Sequence, residues 1–235
     1  MALFDSHSRK LAAGIVAAAA IGLSGAASAA TITITQIQTV PLTGVDFSQN
    51  LSFNYFNIAP SLGILESVTV TETGTLTSTA TTLANSTSHS ASGRAGVASD
   101  FFLNTVSGSP VAVDNANFDL YFDQTNTYSI AAHGSTGWGP KTTTLSQVET
   151  FTSPADLAGF IGTGSFLLDF NTASGTTLTG AAHWVSLPTS TGSGIIEIQY
   201  TYQTVPATAP GTGLFGLGFL ILAFAARSGK KLFGV

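Results

Sequence analysis

The 235-residue chain has no cysteine, a single methionine and only 8% charged residues. Without cysteine, a domain working outside the cytoplasm cannot be stapled by disulfides and must hold itself together by packing. Basic charge is scarcer still. Of seven Lys and Arg residues, Arg9, Lys10, Arg227, Lys230 and Lys231 sit near the two ends, leaving Arg94 and Lys141 between them. Eleven of the twelve acidic residues lie in that same interval, since only Asp5 is terminal. From Ala30 to Val205 the formal balance is therefore −9, which repels phosphate backbones and argues against nucleic-acid binding. Long helical periodicity and internal repeats are absent as well, which excludes bundles and solenoids.

What is present begins with the two ends. Residues 1–29 read as a secretory signal peptide: Arg9 and Lys10 supply a basic start, Leu11 to Leu23 a short apolar core, and Ala27-Ser28-Ala29 a small-residue cleavage site before Ala30. The other end carries VPATAPGTGLFGLGFLILAFAARSGKK. Gly211 to Ala226 is an uncharged run about 24 Å long as a helix, set against an apolar bilayer of about 30 Å. Beginning near residue 209, with Pro210 in the first turn, and ending at 226, it reads as a transmembrane helix, and Arg227, Lys230 and Lys231 act as a stop-transfer cluster that keeps the C-terminus cytoplasmic. A buried core helix is the competing reading at each end.

Between the ends, Thr, Ser, Gly, Val and Ile dominate. In SVTVTETGTLTSTATT every odd position from Thr69 to Thr81 is threonine, while Val68, Val70, Glu72, Gly74 and Leu76 occupy the even ones. This period-two pattern is a strand signal, and its length predicts a bend or bulge at Gly74. TITITQIQT (Thr31 to Thr39) and GIIEIQYTYQT (Gly194 to Thr204) read as opening and closing strands. Further strands are expected at Leu51 to Phe56, Ala95 to Leu103, Asn117 to Asp123, Leu145 to Phe151, Gly164 to Asn171 and Thr177 to Leu187. The one convincing helical turn is SPADLAGFIG, with Ser153 as cap and Pro154 at the first position. Ser135 to Thr142 reads as a long surface loop. The pattern predicts a single all-β domain over residues 30–204, an antiparallel β-sandwich of Ig-like or jelly-roll type. Residues 205–235 form the anchor segment.

Candidate chemistry is sparse. His89, His133 and His183 are far apart, no G-x-S-x-G elbow is present, and no histidine pair has metal-ligand spacing. No cofactor and no catalytic residue is expected. Asp114, Asn117, Asp119 and Asp123 have the oxygen chemistry for calcium, but strand alternation would spread them along a polar outer face. Trp138, in a Gly-rich stretch, is a candidate glycan contact by stacking of its indole, with a core role as the alternative.

Two resemblances add to this reading. Phe56, Pro60, Leu62, Gly63, Leu65, Ser67 and Val68 carry a phrase similar to the opening of the choice-of-anchor E domain, and DLAGFIGTGSFLLDF and YTYQTVP also resemble that family. The tail resembles a PEP-CTERM sorting signal: Val205 and Pro206 match its motif, the glutamate of the commonest form is missing, and an apolar helix and basic cluster follow. The resemblance implies export through the inner membrane of a Gram-negative bacterium, recognition of the tail by an exosortase, and a place at the cell surface or in the extracellular matrix of a biofilm. It implies a structural or adhesive role with no catalytic residues. The alternative is a carbohydrate-binding module for exopolysaccharide.

Overall fold

The computed structural model describes residues 15–16, 29–57, 63–107 and 110–205. Alternation of apolar and polar residues becomes two antiparallel sheets packed face to face. Sheet A has the order β1 (Ile15–Val16), β2 (Thr31–Gly44), β13 (Ser190–Gln203), β4 (Ile64–Ser78), β10 (Lys141–Phe151). Sheet B has the order β3 (Ser48–Asn54), β11 (Ser165–Leu178), β6 (Ala91–Thr105), β7 (Phe118–Asp123), and β8 (Asn126–Ile130) pairs with the first part of β6. A small third sheet runs β12 (His183–Ser186), β5 (Thr81–Ala84), β9 (Ser135–Trp138).

The long strands of the two sheets turn their more apolar parity inward. Val68, Val70 and Leu76 of β4 and Ile196, Ile198 and Tyr200 of β13 meet Phe101, Phe122, Leu168 and Phe170 of sheet B in one buried cluster. A second, smaller cluster lies beneath the third sheet and is built on Leu83, Ala95, Tyr128 and Ile130. Helix α2 (Pro154–Ala158) is capped as its sequence predicts, with Ser153 Oγ accepting from the Asp156 N–H at 3.2 Å.

Glycine provides the fit between the sheets. Gly74 and Gly194 are direct neighbours across β4 and β13, and Gly192 lies two residues further along. A Cβ on Gly74 would come within 2.6 Å of Phe101 Cδ2, one on Gly192 within 2.8 Å of Phe101 Cζ, and one on Gly194 within 2.6 Å of Phe170 Cζ. The three glycines form a slot in sheet A that receives two rings of sheet B, themselves packed edge to face at 5.6 Å. The expected bend at Gly74 does not occur: β4 passes through it in unbroken register with β10. Its irregularity falls instead beside Glu66, where Thr201 pairs with Ser67 and Tyr202 with Leu65. Close approach, not curvature, is why position 74 has no side chain.

Glutamines close the sides. Gln36 donates from Nε2 to the Asn54 carbonyl at 2.9 Å and accepts the Asn54 N–H at 2.8 Å, while Gln38 donates to the Ser52 carbonyl at 2.8 Å. The free edge of β3 is thus covered by side chains of β2. On the opposite side, Gln147 of β10 accepts the Asp119 N–H of β7 at 3.2 Å. Replacing Gln36 with leucine leaves the Asn54 N–H without its partner, while the Asn54 carbonyl keeps the Tyr200 hydroxyl at 3.0 Å, and is expected to lower unfolding stability by about 1–3 kcal/mol, measurable by chemical denaturation.

Three other expectations are corrected. Ser135 to Thr142 is not a surface loop, because Ser135–Trp138 forms β9 and Lys141 begins β10. Thr177 to Leu187 is not one strand: β11 ends at Leu178 and β12 starts at His183. A second short helix, α1 (Val111–Ala116), precedes β7, so Asn117 is its left-handed C-cap at φ 53° and the strand begins at Phe118.

Candidate functional site

The outward faces of the two sheets have different chemistry. On sheet A, the threonines of β4 project outward and pair with β10: Thr69 with Thr150 at 3.0 Å, Thr73 with Ser146 at 3.0 Å, Thr75 with Thr144 at 2.9 Å and Thr77 with Thr142 at 3.1 Å, hydroxyl to hydroxyl. These are cross-strand neighbours fixed by the β4–β10 register. Thr33 and Thr35 of β2 and Gln199 and Thr201 of β13 extend the surface. Among the described outward positions running from β2 to Thr142–Thr150 of β10, and between Thr69 and Thr77 on β4, Glu197 is the one charged residue.

Sheet B presents acids and rings instead. Register places Asn171, Phe102 and Asp119 in one row across β11, β6 and β7, and Ala173, Asp100 and Tyr121 in the next. Tyr121 is 58% exposed. Beside it, Asp100 lines a recess of about 240 Å³ with Ala98, Ala173, Ser174 and Thr176. Partial burial, and then the charge of Asp119, hold the Asp100 carboxyl above the usual carboxylate range. Such a patch offers carboxylate acceptors, hydroxyls and a ring face to a neutral polyol, and it repels anions.

The residues singled out from sequence do not converge. Asp114 accepts from the Thr105 N–H and hydroxyl. Asp123 accepts from the Thr125 N–H and hydroxyl and from Arg94 at 3.1 Å, contacts that hold its carboxyl below the usual range, those of Thr125 most. Asp119 points outward from β7 and Asn117 caps α1. Among the described residues no group of three or more His, Cys, Asp or Glu side chains is placed to hold a metal ion. Trp138 is half-buried at the end of β9, packed with Trp184 against the second core cluster. His183 pairs with Ala84 in the third sheet, and the His89 carbonyl accepts from Asn85 Nδ2. Ala30 and Val205 flank the fold. The Ala30 N–H donates to Thr204 Oγ1 at 3.0 Å and the Thr204 N–H returns to the Ala30 carbonyl at 2.9 Å. Ala29 is half-buried, while Ala27, Ser28, Pro206, Pro210, Arg227, Lys230, Lys231 and the apolar run 209–226 lie outside the described residues. Among the described residues no helix is long and apolar enough to cross a membrane.

A buried acid, like the Asp100, Phe102 and Tyr121 patch, is not among the residues that the sequence singles out. Glu72 is fully buried inside the sandwich, and neither carboxyl oxygen has a hydrogen-bond partner. Burial, reinforced by Asp119, pushes its pKa up to about 8. The signal was present: Glu72 stands at an even position between Val70 and Gly74, on the parity that turns inward.

No family model matches the chain, and neither does any curated protein. Among solved structures it is similar to that of the infectious bursal disease virus Gx strain, with 11% identity and a TM-score of 0.20 over 91% of this chain and 53% of that chain. It is also similar to the IBDV T13 viral particle, with 11% identity and a TM-score of 0.21 over 90% and 52%. The chain spans about half the length of these structures, and at such scores the likeness carries no argument.

Proposed function

We propose that the protein is an exported β-sandwich of structural or adhesive character at the cell surface or in the extracellular matrix, tethered by its C-terminal helix and released when an exosortase cuts near Pro206. The observation that carries this reading is the broad outer face of sheet A, hydroxyl-studded and nearly free of charge. Such a face can donate and accept hydrogen bonds along an extended neutral polymer or another sheet, and Glu197 is the one charged group on it. The protein is accordingly read as a non-enzyme without a cofactor.

Within the sandwich class we favour a jelly roll. Leaving aside β1 and β8, sheet A runs first, eighth, third, sixth and sheet B second, seventh, fourth, fifth in chain order when the third sheet is also set apart. That order, two interlocked Greek keys, supports the assignment. Fold alone assigns no role.

Mass spectrometry of surface-exposed protein tests the sorting step. The expected C-terminus lies near Pro206, and an intact end at Val235 would overturn it in favour of a plain membrane anchor. A second reading, a carbohydrate-binding module for exopolysaccharide, draws on the Tyr121, Phe102 and Asp100 patch. Here Tyr121 is the stronger contact, since the Trp138 ring is committed in part to the second core. A glycan array comparing wild type, Tyr121→Ala and Trp138→Ala decides. Binding of a neutral glycan lost at least tenfold in Tyr121→Ala supports the module; loss only in Trp138→Ala moves the site to the third sheet; no binding removes the module.

A further inference from the structure

With the short β1 and β8 set aside, four strands present edges at the flanks of the two large sheets, and three of them are defended. The edge of β3 is capped by Gln36 and Gln38, and that of β7 at Asp119 by Gln147. The β10 edge begins with Lys141 and carries the half-buried Glu149 on its inward side, charges of the kind that discourage strand addition. The outer edge of β2 has no such guard. Thr31–Gly44 is fourteen residues long and contains no charged residue, and from Thr31 to Val40 it contains no proline. Its partner on the inner side, β13, holds it in regular register from Thr31 to Val40.

The same edge already accepts an antiparallel strand. Ile15 pairs with Gln36 and Val16 with Thr35, at the centre of the Thr31–Thr39 segment. Those two residues belong to the segment that the export reading removes. Removal leaves a long, neutral, β-branched edge open at its middle.

We infer that in the mature protein this edge pairs with β2 of a second copy of the chain, antiparallel about a two-fold axis at Thr35. The inference rests on the export reading, because processing vacates the edge. A two-fold contact brings each residue against its own symmetry mate's neighbourhood, so a charged edge would repel itself; β2 carries no such penalty. With the axis at Thr35, Thr33 meets Ile37 of the second copy, Thr31 meets Thr39, and on the inner side Ile34 meets Gln36. The two hydroxyl faces then join into one continuous sheet surface across both copies.

The natural lack of cysteine makes the test direct, because any disulfide in a single-cysteine variant must link two molecules. The processed protein is taken from the cells that export it, its N-terminus is sequenced, and Thr35→Cys is oxidised and run on a non-reducing gel. Directly opposed strand residues lie about 4.5–5.5 Å apart at Cα, within disulfide reach. The expected result is a dimer of doubled mass with Thr35→Cys, none with Thr33→Cys or Ile37→Cys alone, and a dimer again when Thr33→Cys and Ile37→Cys are combined in one chain. Val148→Cys on the β10 edge, at a position 56% exposed, is expected to stay monomeric. Absence of the Thr35→Cys dimer, or an equal yield from Val148→Cys, overturns the inference. An N-terminus that still contains residues 1–29 overturns the export reading instead, and the two readouts are independent.

Discussion

Replacing Glu72 with glutamine is expected to stabilise the protein at neutral pH and to leave its stability at pH 4 unchanged. In the native state the Glu72 carboxyl is buried without a partner and titrates at about 8, against 4.5 when unfolded. Below pH 4.5 both states hold the proton and the residue costs no more than its neutral isostere. As pH rises from 4.5 to 8 the unfolded chain ionises while the folded one does not, so stability is lost throughout that window and levels off above it. At pH 7 the loss is on the order of 3 kcal/mol, at about 1.4 kcal/mol per pH unit. Asp123, whose carboxyl is held low by Thr125 and Arg94, acts in the opposite sense and loses its contribution in acid. The quantity to measure is therefore the difference between wild type and Glu72→Gln in urea denaturation at pH 4 and pH 7. Parallel profiles would remove the buried acid from the account. Glu72→Met should go further and gain at both pH values, because it also removes two buried oxygens without partners.

The second large effect concerns the glycine slot. Gly74→Val places branched carbons where Phe101, Phe122 and Leu120 already lie, the nearest atom at 2.6 Å from the first added carbon. Overpacking of this kind costs about 1–3 kcal/mol and here acts against three neighbours, so a loss at the upper end of that range or failure to fold is expected. Gly175→Ala, with nothing within 4 Å of the new carbon, serves as the control and should be near neutral. If the slot exists to admit the Phe101 ring, Gly74→Ala should be partly rescued by Phe101→Leu. A double-mutant cycle showing simple additivity would sink that explanation.

These residues also show where sequence legibility stops. The alternation in Thr31 to Thr39, Gly194 to Thr204 and the Thr69 ladder marks strands and their inward faces, because period two is a local property. Most boundaries fall short of the observed strands, since Ala91 to Arg94 of β6 and Lys141 to Thr144 of β10 are polar or small and gain strand geometry only from their partners. Strand order is long-range, and nothing local indicates that β13 inserts between β2 and β4. The bend expected at Gly74 fails for a physical reason: a missing side chain serves curvature or close approach equally, and only the position of Phe101 separates them. Trp138 is similar, because flanking glycines suggest a loop while the β5 backbone pairs it into a strand. The carboxylates of Asp114 and Asp123 take Thr105 and Arg94 from other elements as partners, which no local pattern indicates, although Asp123 is also bonded by the nearby Thr125.

The placement of β13 bears on how the domain would carry load. Its last residues run into Val205, the point from which the proposed tether departs, and it is bonded along its length to β2 on one side and β4 on the other. A pull at Val205 directed along the strand therefore cannot peel one rung at a time from a sheet edge. It must slide β13 past two ladders at once, with Ala30 and Thr204 as the first bonds strained. Built this way, and tethered as proposed, the domain would meet a pull in shear, the direction in which a sheet yields last.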